Sequence, residues 1–494
     1  MARQLSRFPL MLPPRRPGTP ATQWLYAALR AAILERRLRP GARLPATREL
    51  AAYYRLSRGT IVSAFDQLKA EGYVEASVGS GTYVAGVLPD RLLEVGRKAG
   101  APVPAERSRS RRLSHYGRRV RPFESLRLGP IRAFRANLPA LDLFPTALWA
   151  QVTTRRLRQA TMDLLLTCGP MGYPPLQEAV ADYLTTSRGV RCVAGQVAIV
   201  SGVQEALDLV ARLFLDPGDR VAMENPGYPG ATLVFRAFGA NVTPVRLDEE
   251  GIVLGDSALR GARLVYVTPA HQFPLGVSMS LARRLALLEW ARSTGAVIFE
   301  DDYDSEYRYA GRPVPALQGL DRHGQVLFAG SFSKVLFPSL RLGYLVVPLD
   351  LVDRFAAARS IVNRHAPLLD QAVLADFITG GHFGRHIRRM RAMYAERLSV
   401  LLESAKQDLA GLLDISGVEA GIQTVGWLRG GLGGESAASV AARREVEVTP
   451  VSRYATGRVA PDGLVLGFAA VDPPEIRWGV RELAAALEPI AGRS

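Results

Sequence analysis

The spacing of apolar residues changes along the chain. From Ala21 to about Glu35, Leu25, Leu29, Ala32 and Ile33 recur at the spacing of a helix with one buried face. Pro40-Gly41 predicts a turn. A short helix follows from Thr47, a suitable N-cap, to Tyr54, and Ser57 caps a third helix with the stripe Ile61, Ala64, Phe65 and Leu68. The period then falls to two in Tyr73–Ala76 and Thr82–Val84, joined through Gly79-Ser80-Gly81, which predicts a hairpin. Three helices and a glycine-tipped hairpin within residues 21–86 make a winged helix-turn-helix. Residues 1–20 read as an unstructured arm. Residues 87–130 have few apolar positions and no clear period, and they include the run Arg107-Ser108-Arg109-Ser110-Arg111-Arg112, so they read as a flexible basic linker, either a solvated spacer or a second DNA contact.

Over residues 131–494 the texture is α/β. Strand candidates are Val197–Val200, Arg220–Met223, Arg263–Val267, Ala296–Phe299 and Val326–Ala329, separated by helical stretches such as Glu205–Leu215 and Leu281–Ser293. This alternation predicts a mainly parallel sheet. Ligands of such sheets gather at the carboxyl ends of strands, and Ser201-Gly202, Asp301 and Ser331–Lys334 each fall just after a strand candidate.

Charge divides the chain at the same boundary. Residues 1–130 hold 24 Lys+Arg against nine Asp+Glu, so they carry nearly all of the net +16. A basic first part beside a near-neutral second part points to a polyanion partner for the first alone. In a winged helix that partner is double-stranded operator DNA. A recognition helix from Ser57 would present Arg58, Gly59, Val62 and Ser63 to the major groove. Ser57, Thr60 and Arg48 would contact phosphate, and Ser80 between two glycines would let the wing backbone come close. Cys168 and Cys192 imply no disulfide framework, and no run approaches the ~18 apolar residues of a membrane span. Phe8–Pro14 is too short and proline-broken for a signal peptide, so the expected compartment is the cytoplasm.

Residues 131–494 contain only two lysines, Lys334 and Lys406. Lys334 follows a strand candidate, in Ser331-Phe332-Ser333-Lys334, with Arg341 seven residues on. Upstream, Glu300-Asp301-Asp302-Tyr303 follows an apolar run. A lysine for a Schiff base, an acid for a pyridine nitrogen, and hydroxyls with an arginine for a phosphate together suit pyridoxal 5′-phosphate (PLP). Asp301 would keep the ring nitrogen protonated, and Tyr303 could reach the phenolic oxygen. Tyr228 is a candidate to stack on the ring, and His271 to touch the cofactor. Ser201, Gly202, Val203 and Gln204, at a helix start, would join Ser331, Ser333 and Arg341 around the phosphate. His382 and His386 stand four apart, but no third metal ligand is evident.

Leu44–Ala51, Leu56–Ile61, Gly72-Tyr73-Val74 and Gly79–Val84 resemble the DNA-binding domain of GntR-type regulators. Phe144-Pro145, Glu224–Gly230, His271–Gly276, Glu300–Glu306 and Ser331–Tyr344 resemble a fold-type I aminotransferase domain with a small C-terminal subdomain. Together the two resemble the MocR-type subfamily of GntR regulators. That resemblance implies PLP held on Lys334 and used to sense PLP or an amino compound, and a head-to-tail homodimer. Three positions depart from working aminotransferases. Phe273 stands where they place an asparagine for the cofactor's phenolic oxygen, an aromatic that MocR-type regulators share. Val465 stands where they place an arginine for a substrate carboxylate, with Arg453 as a substitute able to bind an anionic group. Thr167 stands where they have a tyrosine for the neighbouring subunit's cofactor phosphate. The expectation is a regulator with little steady-state catalysis. The alternative is a working aminotransferase carrying a DNA-binding module, or a slow bifunctional protein.

Overall fold

The computed structural model describes residues 12–77, 81–88, 112–123, 129–309, 315–415, 417–457 and 462–491. The chain divides into two compact units, Met1–Arg111 and Arg112–Ser494.

In the first unit, helix α1 (Ala21–Leu34) buries Leu25, Ala28, Leu29, Ala32 and Ile33, as its periodicity requires. Helix α2 (Thr47–Tyr54) buries Leu50 fully, with Ala51 and Tyr54 packed at the core's edge, and α3 (Arg58–Ala70) buries Ile61, Ala64, Phe65 and Leu68. Strands β1 (Val74–Ser77) and β2 (Gly81–Val84) pair antiparallel with Val74 opposite Val84. The turn before α2 joins this hairpin, because the Leu44 amide donates to the Thr82 carbonyl. Two expectations are corrected. Thr47 is the first helical residue and Ala46 the N-cap, and the Ala46 amide is satisfied from within the helix by the Glu49 carboxylate at 3.3 Å. Residues 12–20 are not a free arm, since Leu12 packs on the core and the Trp24 indole donates to the Pro13 carbonyl. Ser80 lies outside the described residues.

The second unit is built on an eight-stranded sheet: β3 (Val197–Val200), β4 (Arg220–Asn225), β5 (Asn241–Asp248), β6 (Gly251–Ile252), β7 (Ala262–Val267), β8 (Val297–Asp302), β9 (Val326–Ser331) and β10 (Gly343–Val346). Its order is β3-β10-β9-β8-β7-β4-β5-β6. The five strands from β9 to β5 are mutually parallel, while β10 runs antiparallel to both β9 and β3. The expected, mainly parallel sheet is present. A second sheet, β11 (Leu413–Ile415), β12 (Gln423–Leu428), β13 (Thr449–Pro450) and β14 (Gly463–Gly467), is antiparallel in the order β11-β12-β14-β13. The helices His382–Asp408 and Pro473–Ala491 pack on each other, and their apolar residues share the core with those of this sheet.

The longest described part of the expected linker, residues 112–123, is not a spacer. Ser114 caps the short helix His115–Arg119 by accepting from the Gly117 amide, and Tyr116 packs edge-on against Phe238 with ring centroids 5.3 Å apart. No helix among the described residues is long and apolar enough to cross a membrane.

Candidate functional site

In the DNA-binding unit, α3 starts as its sequence predicts. Ser57 Oγ accepts from the Thr60 amide at 3.1 Å, and the two hydroxyls are 2.8 Å apart. That pair uses one of its two hydroxyl hydrogens for itself. Arg48, Arg58, Gly59, Val62 and Ser63 are exposed. A Cβ on Gly59 would meet nothing nearer than Ser57 Oγ at 3.8 Å, so no packing reason inside the chain holds a glycine there. Arg43 went unnoticed in the sequence. Its guanidinium lies over Gly81, where a Cβ would come within 2.9 Å of Nε, and so places a further cation at the base of the wing.

The second constellation lies at the carboxyl ends of β7, β8 and β9. Sequence patterning put Asp301 after a strand, but the structure places it inside β8, beside Ala329 of β9. It is 4% exposed. Oδ2 accepts from the Tyr266 hydroxyl at 2.6 Å, and Oδ1 has no partner. Burial pushes this carboxyl up to about 7, against the hydrogen bond from Tyr266. Lys334 follows β9 on a four-residue helical turn, and its ammonium donates to the Asn137 carbonyl at 2.8 Å. Burial lowers the Lys334 pKa to about 8, while Asp304 and Asp301 hold it up. A larger share of free amine therefore exists near neutrality than on an ordinary lysine, as a nucleophile needs.

Helix Val203–Phe214 starts from Gly202 at φ +89°, and a Cβ there would sit 3.3 Å from the Arg341 guanidinium. Arg341 donates to the Ser201 carbonyl at 3.0 Å. Ser331 Oγ accepts from the Ser333 amide, and the buried Ser333 hydroxyl has no partner. The Gln204 side chain is not turned towards this cluster, because it donates to the Tyr228 hydroxyl at 2.9 Å. Tyr228 is stacked over Tyr266 at 6.5 Å.

His271 Nδ1 lies 3.0 Å from Asp304 Oδ1 and 3.0 Å from the Tyr303 hydroxyl. With the proton on Nδ1 and donated to Asp304, the hydrogen of Tyr303 is uncommitted. Phe273 packs edge-on against Tyr228, Tyr303 and Tyr454. Val465 is fully buried in an apolar group with Val425 and Val451, against Leu275 and Tyr454. The Arg453 guanidinium is turned onto the Glu435 carboxylate, donating through Nε and Nη2 at 2.7 and 2.6 Å. Thr167 is 2.9 Å from His365 Nε2. His386 Nε2 lies 3.1 Å from the Val335 carbonyl, and His382 pairs with Arg385. The sequence reading missed Tyr266, Asp304, Asn137 and the buried Glu224, which accepts from the Thr268 amide and hydroxyl and from Gln272. Tyr266 had a signal, a polar tip in the apolar run Leu264–Val267. Asn137 had none, since only its carbonyl is used.

The bacterial regulatory proteins of the gntR family match residues 21–84, and aminotransferase class I and II matches residues 136–477. The chain is 42% identical over 472 residues to the probable rhizopine catabolism regulatory protein MocR of Rhizobium meliloti, covering 95% of this chain and 94% of that one. The chain belongs to the MocR-type regulators of the GntR family. As a MocR-type regulator it joins a helix-turn-helix unit to a fold-type I aminotransferase-like unit, and its function is transcriptional regulation. The pyridoxine biosynthesis regulator PdxR of Corynebacterium glutamicum is 31% identical, covering 98% of this chain and 99% of its own. Among solved structures, the α-aminoadipate aminotransferase LysN of Thermus thermophilus, complexed with N-(5′-phosphopyridoxyl)-L-leucine, matches 74% of this chain and 94% of its own at TM-score 0.68 and 30% identity. The second unit therefore shares the fold of an aminotransferase that holds a phosphopyridoxyl group.

Two outcomes follow from these sites. Arg48→Ala is expected to weaken operator and non-operator DNA alike and to flatten the slope of log K against log[salt] by about 0.9, the loss of one phosphate contact. An unchanged slope would remove Arg48 from the interface. The second concerns Asp301. Its folded pKa of about 7 exceeds its ordinary 3.8, so the stability tied to its protonated form is complete below the lower value and lost as pH rises through the higher. In PLP-free protein, Asp301→Asn should therefore gain stability over wild type between about pH 5 and pH 8, on the order of 2 kcal/mol. Equal thermal unfolding differences at both pH values would show that this carboxyl ionises normally.

Proposed function

We propose that the chain regulates transcription by binding operator DNA through its winged helix and PLP through Lys334. The supporting observation is Asp301: a buried carboxyl with one oxygen held by Tyr266 and the other without a partner, in electrostatic contact with Lys334. A buried polar atom left unpaired is costly, and a protonated pyridine nitrogen satisfies it. The residues present fit PLP. Lys334 holds it covalently, Asp301 keeps the ring nitrogen protonated, and Tyr228 supplies a face. Tyr303, oriented by His271, offers its hydroxyl hydrogen. The helix start at Ser201, Gly202, Val203 and Gln204 joins Ser331, Ser333 and Arg341 around the phosphate. Bound there, PLP supplies an electrophilic carbon for amines and an electron sink behind it.

The segment leading away from the DNA-binding unit supports sensing. Tyr116 touches Phe238, at one end of the helix Pro229–Phe238, and Phe123 meets Tyr228, at the other, with ring centroids 6.2 Å apart. A shift of Tyr228 on the cofactor is thus passed to the chain that carries the DNA-binding unit. That is allostery only if the two states differ in operator affinity. In this reading the protein acts in the cytoplasm as a head-to-tail homodimer. PLP occupancy is needed for the operator-competent state, and any second effector is an amine bearing an anionic group. Relatives named for rhizopine catabolism and for pyridoxine biosynthesis mark the two alternatives for what is sensed. Arg453 is the candidate for the anion if it exchanges Glu435 for the ligand.

The test is operator binding by PLP-free protein titrated with PLP, then with a panel of amino compounds, at one salt concentration. A change with PLP alone marks control of cofactor supply. A further change with one amine, together with altered PLP absorbance, marks a catabolic switch. Affinity indifferent to PLP and to every amine defeats the sensing model.

A further inference from the structure

Side chains alternate across a strand, so Asp301 and Asp302 of β8 point to opposite faces of the sheet. Asp301 serves the Lys334 site. Asp302 instead forms a buried ion pair, accepting at Oδ2 from Arg188 Nε at 2.9 Å. Arg188 closes the helix Pro174–Arg188 and borders a cavity of about 380 Å³. Four arginines line this cavity, Arg188, Arg308, Arg388 and Arg391, against one lining carboxyl, Glu306; Arg188 is already paired with Asp302 and Arg308 with Glu419, which leaves an excess of one positive charge. The volume lies within the range of small-ligand sites, and the charge excess favours an anion.

Three polar atoms on the cavity's lining residues have no hydrogen-bond partner: Arg188 Nη2, Ser305 Oγ and Glu306 Oε2. Their residues are 9, 7 and 8% exposed, so bulk water does not account for them. The rest of the same groups is satisfied. Glu306 Oε1 accepts from the Tyr183 hydroxyl at 2.9 Å, and Arg391 fixes the Glu306 carbonyl through Nε and Nη2. Buried polar groups are nearly always paired, so three unpaired atoms on one cavity's lining describe a donor and acceptor set with its partner absent. Burial and the neighbouring Asp302 push the Glu306 carboxyl up, which lessens its repulsion of an anion.

We propose that this cavity is a second ligand site, for a small oxyanion, a phosphate or a carboxylate. Arg188 Nη2 and the arginine rim meet its charge, and the Ser305 hydroxyl donates to it. The site lies on the face of β8 opposite Asp301 and does not need PLP to form. The two share a stretch of chain: Asp301, Tyr303 and Asp304 belong to one, and Asp302, Ser305 and Glu306 to the other. An anion that fixes Ser305 and Glu306 therefore restrains the backbone that carries the cofactor's partners.

The test uses full-length protein saturated with PLP, so that the Arg341 cluster is already filled. It is titrated calorimetrically with sodium phosphate, and separately with succinate, at one neutral pH and an ionic strength made up with chloride. One saturable site per chain is expected with at least one of the two. Phosphate alone would mark a tetrahedral oxyanion, succinate alone a carboxylate, and both the shared chemistry. Ser305→Ala removes a hydroxyl that has no partner in the fold, so it should leave the protein intact and weaken binding at least tenfold. Gly384→Leu grows into the cavity from the third residue of a long helix, where a Cβ meets nothing nearer than Arg388 Nη1 at 3.7 Å. It should abolish binding while the visible absorbance of bound PLP persists. No saturable heat with either anion would overturn the proposal, as would undiminished binding in both variants.

Discussion

Replacing Lys334 by alanine is expected to give a folded protein that loses PLP completely on gel filtration and whose operator binding no longer responds to PLP. The wild type should retain the cofactor and, after borohydride reduction, yield a single modified tryptic peptide containing Lys334. Only a covalent link survives such treatment, and the other contacts are hydrogen bonds and stacking, each worth about 0.5–3 kcal/mol. The competing lysine of this domain, Lys406, is exposed at the end of the helix His382–Asp408. Lys334 has burial on one side, Asp301 and Asp304 on another and the Asn137 carbonyl at its ammonium. The variant should remain folded because the change removes a desolvated charge and leaves the apolar packing of Phe332, Val335 and Leu336 untouched. Recovery of a modified Lys406 peptide, or full retention of PLP by Lys334→Ala, would overturn the assignment.

What the sequence revealed was local. The three helices of the DNA-binding unit follow from apolar stripes and from one hydroxyl cap at Ser57, features that span a few residues. Lys334 stood out because lysine is scarce in this domain, and Asp301 because it falls just after a strand candidate in a chain that also carries the Lys334 motif. Long-range pairing stayed hidden. Strand β10 is a four-residue apolar run whose antiparallel placement between β3 and β9 depends on partners far along the chain. Strand β5 carries Pro244 and mostly unburied positions, which suits the outer part of a sheet but breaks the pattern a strand search relies on. The strands of the small sheet are two to six residues long, too short to show a clear period. In the site, Tyr266 and Asp304 act through bonds to Asp301 and His271, contacts made 35 and 33 residues apart that no spacing rule encodes. Residues 112–123 read as a spacer because charge dominates their composition. Their anchors are single rings, Tyr116 and Phe123, too sparse to set a period.

Steady-state transamination should be slow, below about 1 per second and so under the ordinary enzyme range of about 1–10³ per second. Three contacts explain why. Phe273 is wedged among Tyr228, Tyr303 and Tyr454 and offers no amide to the cofactor's oxygen. Val465 is packed with Val425 and Val451, so the small sheet offers an apolar surface where a carboxylate clamp would be needed. Arg453 is bound through two nitrogens to Glu435 and must give up that pair to reach a ligand. An amino acid without a clamp is poorly placed for proton transfer, and a displacement of about 1 Å can cost ~10²-fold in rate. Restoring the amide with Phe273→Asn should not restore turnover. Truncating a buried phenylalanine costs about 3–5 kcal/mol and leaves the tyrosines around it without their common wall. The measurement is paired: a single-turnover reaction followed by PLP absorbance, and a steady-state assay with amino donors and a keto acid. A slow half-reaction without sustained turnover fits a sensor that accepts an amine and keeps it. Sustained turnover within the enzyme range would instead make the protein a working aminotransferase that carries a DNA-binding unit.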